Sequence, residues 1–315
     1  MSTLKQLLEI IDLLDDPNVD GEKVKEFFAS KSLSHIKIDV EHIEGEKGST
    51  DFISILIQGV KGKSFKDASP SLGVIGRLGG IGARPECVGL VSDADGAIVS
   101  LAAAYKIAEM MERGDYIEGD VIVRTHICPN APTRPYKPAP MMDSPVDIFT
   151  LLKREAEGQV DAILSVDATK ANWIIKHNGF ALTPTVKEGW ILKVSPDLID
   201  IYMRVTGEPP KIVPITMQDI LPYTTPVYHI NSMMQPWIYT KAPVVGVAIT
   251  TSMIVPGSAT GATNIIHLEQ ATRFIVEVAK DFSRAKVRFY DEEEWEKIIS
   301  IHGPLTDLMK RGAPK

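Results

Sequence analysis

Three short polar motifs follow apolar stretches and carry residues that can perform acid–base or metal chemistry. Asp93 and Asp95 lie in SDADG, just before a long segment with helical periodicity, while Asp167 ends ILSVD and His126 follows VIVRT. Open α/β sheets bind their ligands at the carboxyl ends of strands, and carboxylates and imidazole are common ligands of divalent metal ions. We predict that Asp93, Asp95 and Asp167 are metal ligands or polar anchors. His126 is predicted to be a further ligand or a general base.

The same aspartates also have a purely structural interpretation. Asp and Ser are favoured at helix N-caps, because their side-chain oxygens accept hydrogen bonds from the first free backbone amides. Asp93 or Asp95, helped by Ser92, would then only start the helix that follows. The sequence leaves both interpretations open.

Cys128 provides a further hypothesis about catalysis. The chain has two cysteines, Cys87 and Cys128, which we expect to be free thiols in a reducing cytoplasm. Cys128 follows His126 by two residues, and on a strand this spacing places both side chains on one face. Because a thiolate beside an imidazole is a nucleophile, Cys128 and His126 are also predicted as the catalytic pair of a cysteine-dependent enzyme.

Two arginines flank the glycine-rich segment GRLGGIGAR and are candidates for binding substrate. The planar guanidinium groups of Arg77 and Arg84 can bind a substrate carboxylate with two hydrogen bonds each. The glycines do not form a dinucleotide-binding motif, because no helix follows them directly, and we expect them to allow close backbone approach. His229, in PVYHINS, is a third candidate for substrate binding.

The composition excludes several classes of partner. Of the 315 residues, 44% are hydrophobic and 24% charged, and the formal net charge is -7. No basic cluster is present that would bind nucleic acid or an anionic membrane. The first residues carry acids within their apolar stretch, unlike a signal peptide, and the longest apolar stretches are too short to span a bilayer. We predict a cytoplasmic protein without nucleic-acid or membrane partners.

Apolar strands alternate with helical segments along the chain. This alternation is typical of a three-layer α/β/α sandwich with a mixed, mostly parallel central sheet. We predict one domain over residues 1–315, with N-terminal helices and a β-hairpin in 1–62, the core in 63–290, and a C-terminal helix and tail in 291–315. The proline-rich segment 129–145 is predicted to be an irregular loop that borders the cleft, because proline interrupts both helices and ladders.

The hydrophobic periodicity also gives approximate bounds for the elements. Helices are predicted at 2–15, 21–31, 96–113, 145–157, 196–206, 231–239 and 265–283, with a short one near the C-terminus. Strands are predicted at 35–43, 51–60, 119–127, 160–167, 211–216 and 243–250, with a hairpin or adjacent strands in 179–194. The first two strands are expected to pair as a hairpin.

The chain resembles a bacterial and archaeal family that is catalogued as domain of unknown function 1177. The motifs that carry this resemblance are LLEIIDLLDDPNVDGEKV, GRLGGIGARPECVGLVSDADGA and SVDATKANWIIKHNGFALTPTVKEG. The resemblance covers nearly all residues, and it implies no activity.

A fainter resemblance is to the co-catalytic zinc exopeptidases, which include aminopeptidases and carboxypeptidase-like amidohydrolases. In those enzymes a bridging aspartate lies in a loop just before a helix, where this chain has Asp93 or Asp95. A GDV strand then ends in two adjacent glutamates, a general base and a metal ligand, and here His126 to Asn130 take their place. A later strand ends in a ligand aspartate, which is matched by Asp167.

The chain also departs from the exopeptidase pattern. The first metal-binding histidine of that family should lie near LGVIGRLGG, but no histidine occurs between His42 and His126. The last one should lie near PGSATGATN, where this chain has small and polar residues. The resemblance therefore implies a site with one divalent ion, such as zinc or manganese, held by Asp, His and Asp, or a site without metal.

Two functions follow from these observations. The first is a metal-dependent hydrolase of a small amide, peptide or amino-acid derivative with an altered active site. The second is a non-catalytic, peptidase-like scaffold that binds a small molecule, a peptide or a partner protein. We also predict a homo-oligomer. MMQPWIY could form part of its interface, although such runs more often belong to the core.

Overall fold

The computed structural model describes residues 2–63, 69–77, 79–231, 233–255, 258–261 and 263–311. The helices are α1 Leu4–Asp15, α2 Gly21–Ser30, α3 Asp95–Glu112, α4 Ile148–Glu155, α5 Pro196–Thr206, α6 Ile265–Phe282, α7 Glu292–His302 and α8 Thr306–Met309. The strands are β1 Ile36–Gly45, β2 Gly48–Ile57, β3 Leu72–Gly76, β4 Val121–Ile127, β5 Thr133–Arg134, β6 Met141–Met142, β7 Ala162–Thr169, β8 Gly179–Leu182, β9 Val186–Lys187, β10 Trp190–Ile191 and β11 Val244–Thr250.

One mixed sheet organises the chain. Its strand order is β1-β2-β4-β3-β7-β11-β9-β10, and β8 also pairs with β11. The central strands β4, β3, β7 and β11 are parallel, so that Val74 of β3 lies opposite Val123 of β4 and Leu164 of β7. These strands are almost wholly apolar because both faces of the sheet are covered. The predicted N-terminal hairpin is β1 and β2, and it joins this sheet through β4.

Alternate residues of the central strands enter two different hydrophobic layers. Leu164 and Val247 pack with α1, α3, α5 and α6 on one face. Ile163 and Ala248 pack on the other face with Trp237 from a 3-10 helix, and α4 lies against that 3-10 helix. The structure therefore confirms the predicted three-layer α/β/α class with a mixed central sheet.

Helix α3 positions the aspartates of SDADG. It is buried along most of its length and packs between α1 and α6. A 3-10 turn, Ser92–Ala94, precedes it, and neither element has a side-chain N-cap. Asp93 and Asp95 are therefore not explained as helix caps. Gly96 allows α3 to begin against the backbone of Arg77 and Val166, at the ends of β3 and β7.

Two local predictions were wrong. The segment 211–216 is not a strand: Pro214 lacks an N–H group, and Ile212 forms one isolated bridge to Leu182. The predicted helix 231–239 is a 3-10 helix, Gln235–Tyr239, with a proline near its start. Of the two interpretations of MMQPWIY, the structure agrees with the core one, because most of its residues are buried within this chain, including Met233, Met234 and Trp237.

The predicted segment boundaries and the homo-oligomer stay predictions, and residues 312–315 of the predicted tail lie outside the described residues. No helix in the described part of the chain is long and apolar enough to cross a membrane.

Replacing Gly96 with alanine should destabilise the protein. A Cβ atom at Gly96 would lie 2.7 Å from the carbonyl oxygens of both Arg77 and Val166. Since backbone atoms of two central strands cannot move independently, we expect a loss of about 1–3 kcal/mol in the free energy of unfolding. Gly261→Ala is the control, because a Cβ there meets no atom within 4 Å. Equal unfolding free energies for both variants in denaturant titrations would contradict this explanation.

Candidate functional site

A cleft of about 710 Å³ opens at the carboxyl edge of the central strands. Asp93 lines it from the turn before α3, His126 from the end of β4, and Asp167 from the end of β7. Residues 141–145 also line the cleft, so the predicted proline-rich loop does border it. Three residues that are far apart in the sequence thus meet in one cavity.

Asp93 and Asp167 are the uncompensated carboxyl groups of the cleft. They are 5% and 6% exposed, and neither forms a salt bridge within the described ranges. Burial raises the pKa of Asp167 to about 7, although the nearby charge of Arg77 opposes this effect. Burial, and then repulsion from Asp167 and Asp95, raise the pKa of Asp93 well above its ordinary value. Near neutral pH this pair of aspartates will hold protons that exposed aspartates have lost.

Asp95 lies beside this pair but is neutralised. Its carboxylate forms a buried ion pair with the ammonium group of Lys170, and Thr263 donates a hydrogen bond to Asp95 Oδ1 at 2.8 Å. Lys170 itself lines the cleft. The sequence analysis did not predict Lys170 as a residue of the cleft. The available clue was that this cation follows Asp167 by only three residues.

Arg77 lies beneath the cleft. Its side chain is fully buried and Nη1 donates to Glu155 Oε2 at 2.5 Å. Nη2 donates to the hydroxyl group of Tyr223 at 3.0 Å, and Tyr223 lines the cleft. In this arrangement Arg77 compensates Glu155 and orients a tyrosine, while its Nε is buried without a partner in the described structure. Its predicted role in substrate binding stays a prediction.

The imidazole ring of His126 links two segments of the chain through hydrogen bonds. Its Nε2 accepts a hydrogen bond from the N–H group of Gly79 at 3.1 Å, which places the proton of the neutral ring on Nδ1. Nδ1 lies 3.0 Å from Thr50 Oγ1, which in turn donates to the carbonyl oxygen of Ile127. Burial, and then the charge of Arg77, lower the pKa of His126 to about 4. Neither nitrogen is left to act as the predicted ligand or base.

Cys128 does not have the surroundings of a nucleophile. It is buried in a small apolar cluster with Ala83 and Met142, and its Sγ lies 3.4 Å from the carbonyl oxygen of Ser49, to which it donates. Burial raises the pKa of the Cys128 thiol to about 11. A thiol in this state is not ionised near neutral pH, which argues against the predicted cysteine-dependent enzyme.

Two predicted substrate-binding residues lie outside the cleft lining. Arg84 is half-buried and donates to the carbonyl oxygen of Asp15 at 2.9 Å, which ties its loop to α1. His229 lies against the ring of Tyr223, and its Nε2 is 3.3 Å from the carbonyl oxygen of Leu221. The substrate-binding roles of Arg84 and His229 stay predictions, and the contacts seen here are with other residues of the chain.

The structure adds polar cleft residues that the sequence did not indicate. Asn172, Tyr223, Tyr228 and Asn231 all line the cleft. They come from loops after β7 and before β11, which have no periodic pattern. A single sequence therefore offered no signal for them.

Of the two alternatives that the resemblance implies, the donor set does not fit the single divalent ion held by Asp, His and Asp. In the part of the chain that the structure describes, no three His, Cys, Asp or Glu side chains are grouped so that they could hold a metal ion. Asp95 is bound by Lys170 and His126 has both nitrogens engaged. Metal-ligand roles for Asp93, Asp95 and Asp167 stay predictions that this geometry does not favour.

Comparisons with known proteins agree with the fold and leave the activity open. A family model described as "Protein of unknown function (DUF1177)" matches residues 41–312. A search of curated proteins found no match. The solved LapA aminopeptidase of Legionella pneumophila is 10% identical with a TM-score of 0.52, over 91% of this chain and 69% of that one. The glutaminyl cyclase of Porphyromonas gingivalis is 10% identical with a TM-score of 0.50, over 90% of this chain and 96% of that one. At this identity the likeness shows the fold alone, and it confirms the predicted exopeptidase-like class.

Metal analysis should give far less than one ion per chain. Since Asp95 is paired with Lys170 and both nitrogens of His126 are engaged, Asp93 and Asp167 are the two predicted donors that remain, and protein purified without chelator should contain little zinc or manganese by mass spectrometry. Treatment with a chelator should leave the melting temperature unchanged. One ion per wild-type chain that is missing from Asp167→Asn would contradict this expectation and restore the metal-site hypothesis.

Asp167→Asn should change how stability depends on pH. The raised pKa of Asp167, about 7, means that the folded state holds a proton that the unfolded state releases near the ordinary aspartate pKa. Wild-type stability is thus lost as pH rises from about 4 to about 7, by at most about 4 kcal/mol at 1.36 kcal/mol per pKa unit. The neutral variant lacks this loss and should be the more stable protein above pH 7.

Denaturant titrations from pH 4 to pH 8 measure the difference. Asp143→Asn is the matched control, because partial burial of Asp143 is outweighed by its contact with Lys47 and its pKa is lowered. That variant should show no gain at high pH. A wild-type to Asp167→Asn difference that is constant over this range would show that Asp167 is not held protonated by the fold.

Proposed function

This chain belongs to the family described as Protein of unknown function (DUF1177), and we propose that it is an acid–base hydrolase of a small amide-bearing molecule. The observation that carries the proposal is the pair Asp93 and Asp167. Both line one cleft, both have raised pKa values, and neither is neutralised by an ion pair among the described residues. Carboxyl groups in such surroundings can act as acid and base at neutral pH.

The chemistry needs one ionised and one protonated carboxyl group. Two neighbouring aspartates that repel each other can share one proton, so that a single negative charge serves both. The ionised carboxylate takes a proton from water as the water oxygen bonds to the amide carbon. The protonated carboxyl group gives its proton to the amide nitrogen as the C–N bond breaks. The products are a carboxylic acid and an amine, and the pair returns to one proton.

The size and lining of the cleft favour a small substrate. A volume of about 710 Å³ lies in the range of small-molecule sites. Tyr136, Tyr223 and Tyr228 supply apolar surface with polar ends. The aminopeptidase and the glutaminyl cyclase have a similar fold, but their activities do not support this proposal, since one fold supports many activities.

A second candidate function is a binding scaffold without catalysis. The observation in its favour is that Asp95 and His126, at the positions that suggested an exopeptidase site, are bound by Lys170, Thr50 and Gly79. In that case the cleft would bind its ligand without turnover. Turnover separates the two candidates.

A panel of aminoacyl and acyl anilides tests the hydrolase directly. Asp93→Asn and Asp167→Asn should each lower kcat/KM by about 10²–10⁴-fold, because general acid–base catalysis contributes that much. Asp143→Asn is the control: this carboxyl group also lines the cleft but pairs with Lys47 at 2.6 Å, and the variant should keep wild-type activity.

The pH profile of kcat/KM should fall on both sides of an optimum. At low pH the base is protonated, and at high pH the acid has lost its proton, with one limb near pH 7 from the raised pKa of Asp167. If the wild type hydrolyses no member of the panel, or if Asp167→Asn keeps full activity, the hydrolase proposal is wrong. Ligand binding without turnover would then support the scaffold.

A further inference from the structure

Arg134 is an exposed cation in the lining of the cleft. It lines the same cavity as Asp93 and Asp167, and because its side chain is exposed to solvent, a ligand that enters the cleft can reach it. Within the ranges that the structure describes, this side chain forms neither an ion pair nor a hydrogen bond. Arginine carries five N–H donors in one plane, so these donors are available to a ligand.

Two other charged residues of the lining are already paired. Lys170, the second cation of the lining, forms its ion pair with Asp95. Asp143, a carboxylate of the lining, forms its ion pair with Lys47 at 2.6 Å and not with Arg134. Among the described residues that line the cleft, Arg134 is thus the cation without a carboxylate partner. A negatively charged group on a ligand would find its counter-ion there.

The backbone that carries Arg134 is held in place. Strand β5 pairs antiparallel with β6, and Arg134 lies opposite Met141. The N–H group of Met142 donates to the hydroxyl oxygen of Ser258 at 2.7 Å, and Met142 is buried. These contacts fix the position of the arginine backbone in the cleft wall, which reduces the entropy that is lost when the side chain binds a ligand.

The distribution of charge gives a ligand a direction in the cleft. Asp93 and Asp167 are 5% and 6% exposed, whereas Arg134 is exposed. A carboxylate group on a ligand is attracted by Arg134 and repelled by the charge that the two aspartates carry. A molecule with both a carboxylate and an uncharged amide is therefore bound most favourably with its carboxylate at the arginine. Tyr136 and Tyr228, which are 55% and 67% exposed, line the same cleft and can cover the carbon skeleton of such a molecule.

We propose that Arg134 is a specificity-determining residue that binds a carboxylate group of the substrate. Its guanidinium group donates two parallel hydrogen bonds to the carboxylate oxygens, an arrangement that lysine cannot form. The proposal rests on the proposed function and names its substrate class, an amide-bearing molecule that also carries a carboxylate, such as an N-acyl amino acid. Arg77 and Arg84, for which the sequence suggested this role, bond to other residues of the chain.

Two probes that differ in one group test the substrate class on the wild-type protein. N-acetylphenylalanine carries a carboxylate, and N-acetylphenylalanine amide carries an uncharged carboxamide at the same position. In ligand-observed NMR titrations at pH 7.5 and low salt, N-acetylphenylalanine should bind about three- to tenfold tighter, because a bidentate arginine–carboxylate pair is stronger than an ordinary exposed ion pair. If N-acetylphenylalanine does not bind, or binds no tighter than its amide, the inference is overturned.

Arg134→Gln tests the residue. Glutamine lacks the charge and the paired donors, so the affinity for N-acetylphenylalanine should fall about three- to tenfold, to that of the amide. The affinity for N-acetylphenylalanine amide should stay within about twofold. Arg134→Lys keeps the charge without the paired donors and should show an intermediate preference. Equal losses for both probes in Arg134→Gln would mean that the substitution disturbs the cleft as a whole, and would overturn the inference.

Lys137→Gln is the matched control. Lys137 follows Arg134 by three residues, is exposed, and does not line the cleft. The substitution removes the same charge from the same segment and should leave the preference for N-acetylphenylalanine unchanged. An equal loss of preference in Lys137→Gln and Arg134→Gln would show that the net charge around the cleft, and not contact with Arg134, selects the carboxylate. That result would also overturn the inference.

Binding and turnover are measured separately, so the two proposals can fail separately. The NMR spectra show acetate if a probe is hydrolysed, and thermal unfolding confirms that each variant is folded. A carboxylate preference that depends on Arg134, without hydrolysis of any probe or anilide, would retain the carboxylate site and reject the hydrolase. Hydrolysis of uncharged anilides, with no preference between the two probes, would retain the hydrolase and reject the carboxylate site.

Discussion

The chemistry of the cleft depends on a shortage of buried cations. In the described structure, Arg77 pairs with Glu155 and Lys170 pairs with Asp95. These two ion pairs leave Asp93 and Asp167 in the same low-dielectric region without a counter-ion of their own. Ionising both would be costly, and their raised pKa values express that cost. The proposed proton transfer at neutral pH depends on this excess of acidic groups.

The backbone beneath the cleft explains why His126 is a structural residue. A Cβ at Gly79 would lie 1.7 Å from the carbonyl oxygen of His126, so the glycine-rich segment touches the end of β4. His126 and Cys128 bond to Gly79 from either side, through the ring Nε2 and the backbone N–H group. His126 therefore stabilises the backbone beside the cleft. The proposed chemistry rests on the carboxyl groups of Asp93 and Asp167.

The fold and the donor set lead to different conclusions about this protein. The fold is similar to those of an aminopeptidase and a glutaminyl cyclase, each of which is 10% identical to this chain. The site, in contrast, has an ammonium group on Asp95 and a histidine with no free nitrogen. Because a fold supports many unrelated reactions, the surroundings of Asp93 and Asp167 are the better basis for a functional hypothesis.

The sequence by itself determined the class of the fold and that acidic residues lie near the ends of the central strands. Periodicity predicted α3, β4, β7 and β11 closely, because these elements are long and their burial follows a regular spacing. It failed at 211–216, where proline and a single bridge replace a strand. Only the tertiary structure decided which charges are compensated. Lys170 pairs with Asp95, and Glu155 pairs with Arg77. These contacts join residues that are distant in the chain, and they depend on burial and on where the strand ends meet.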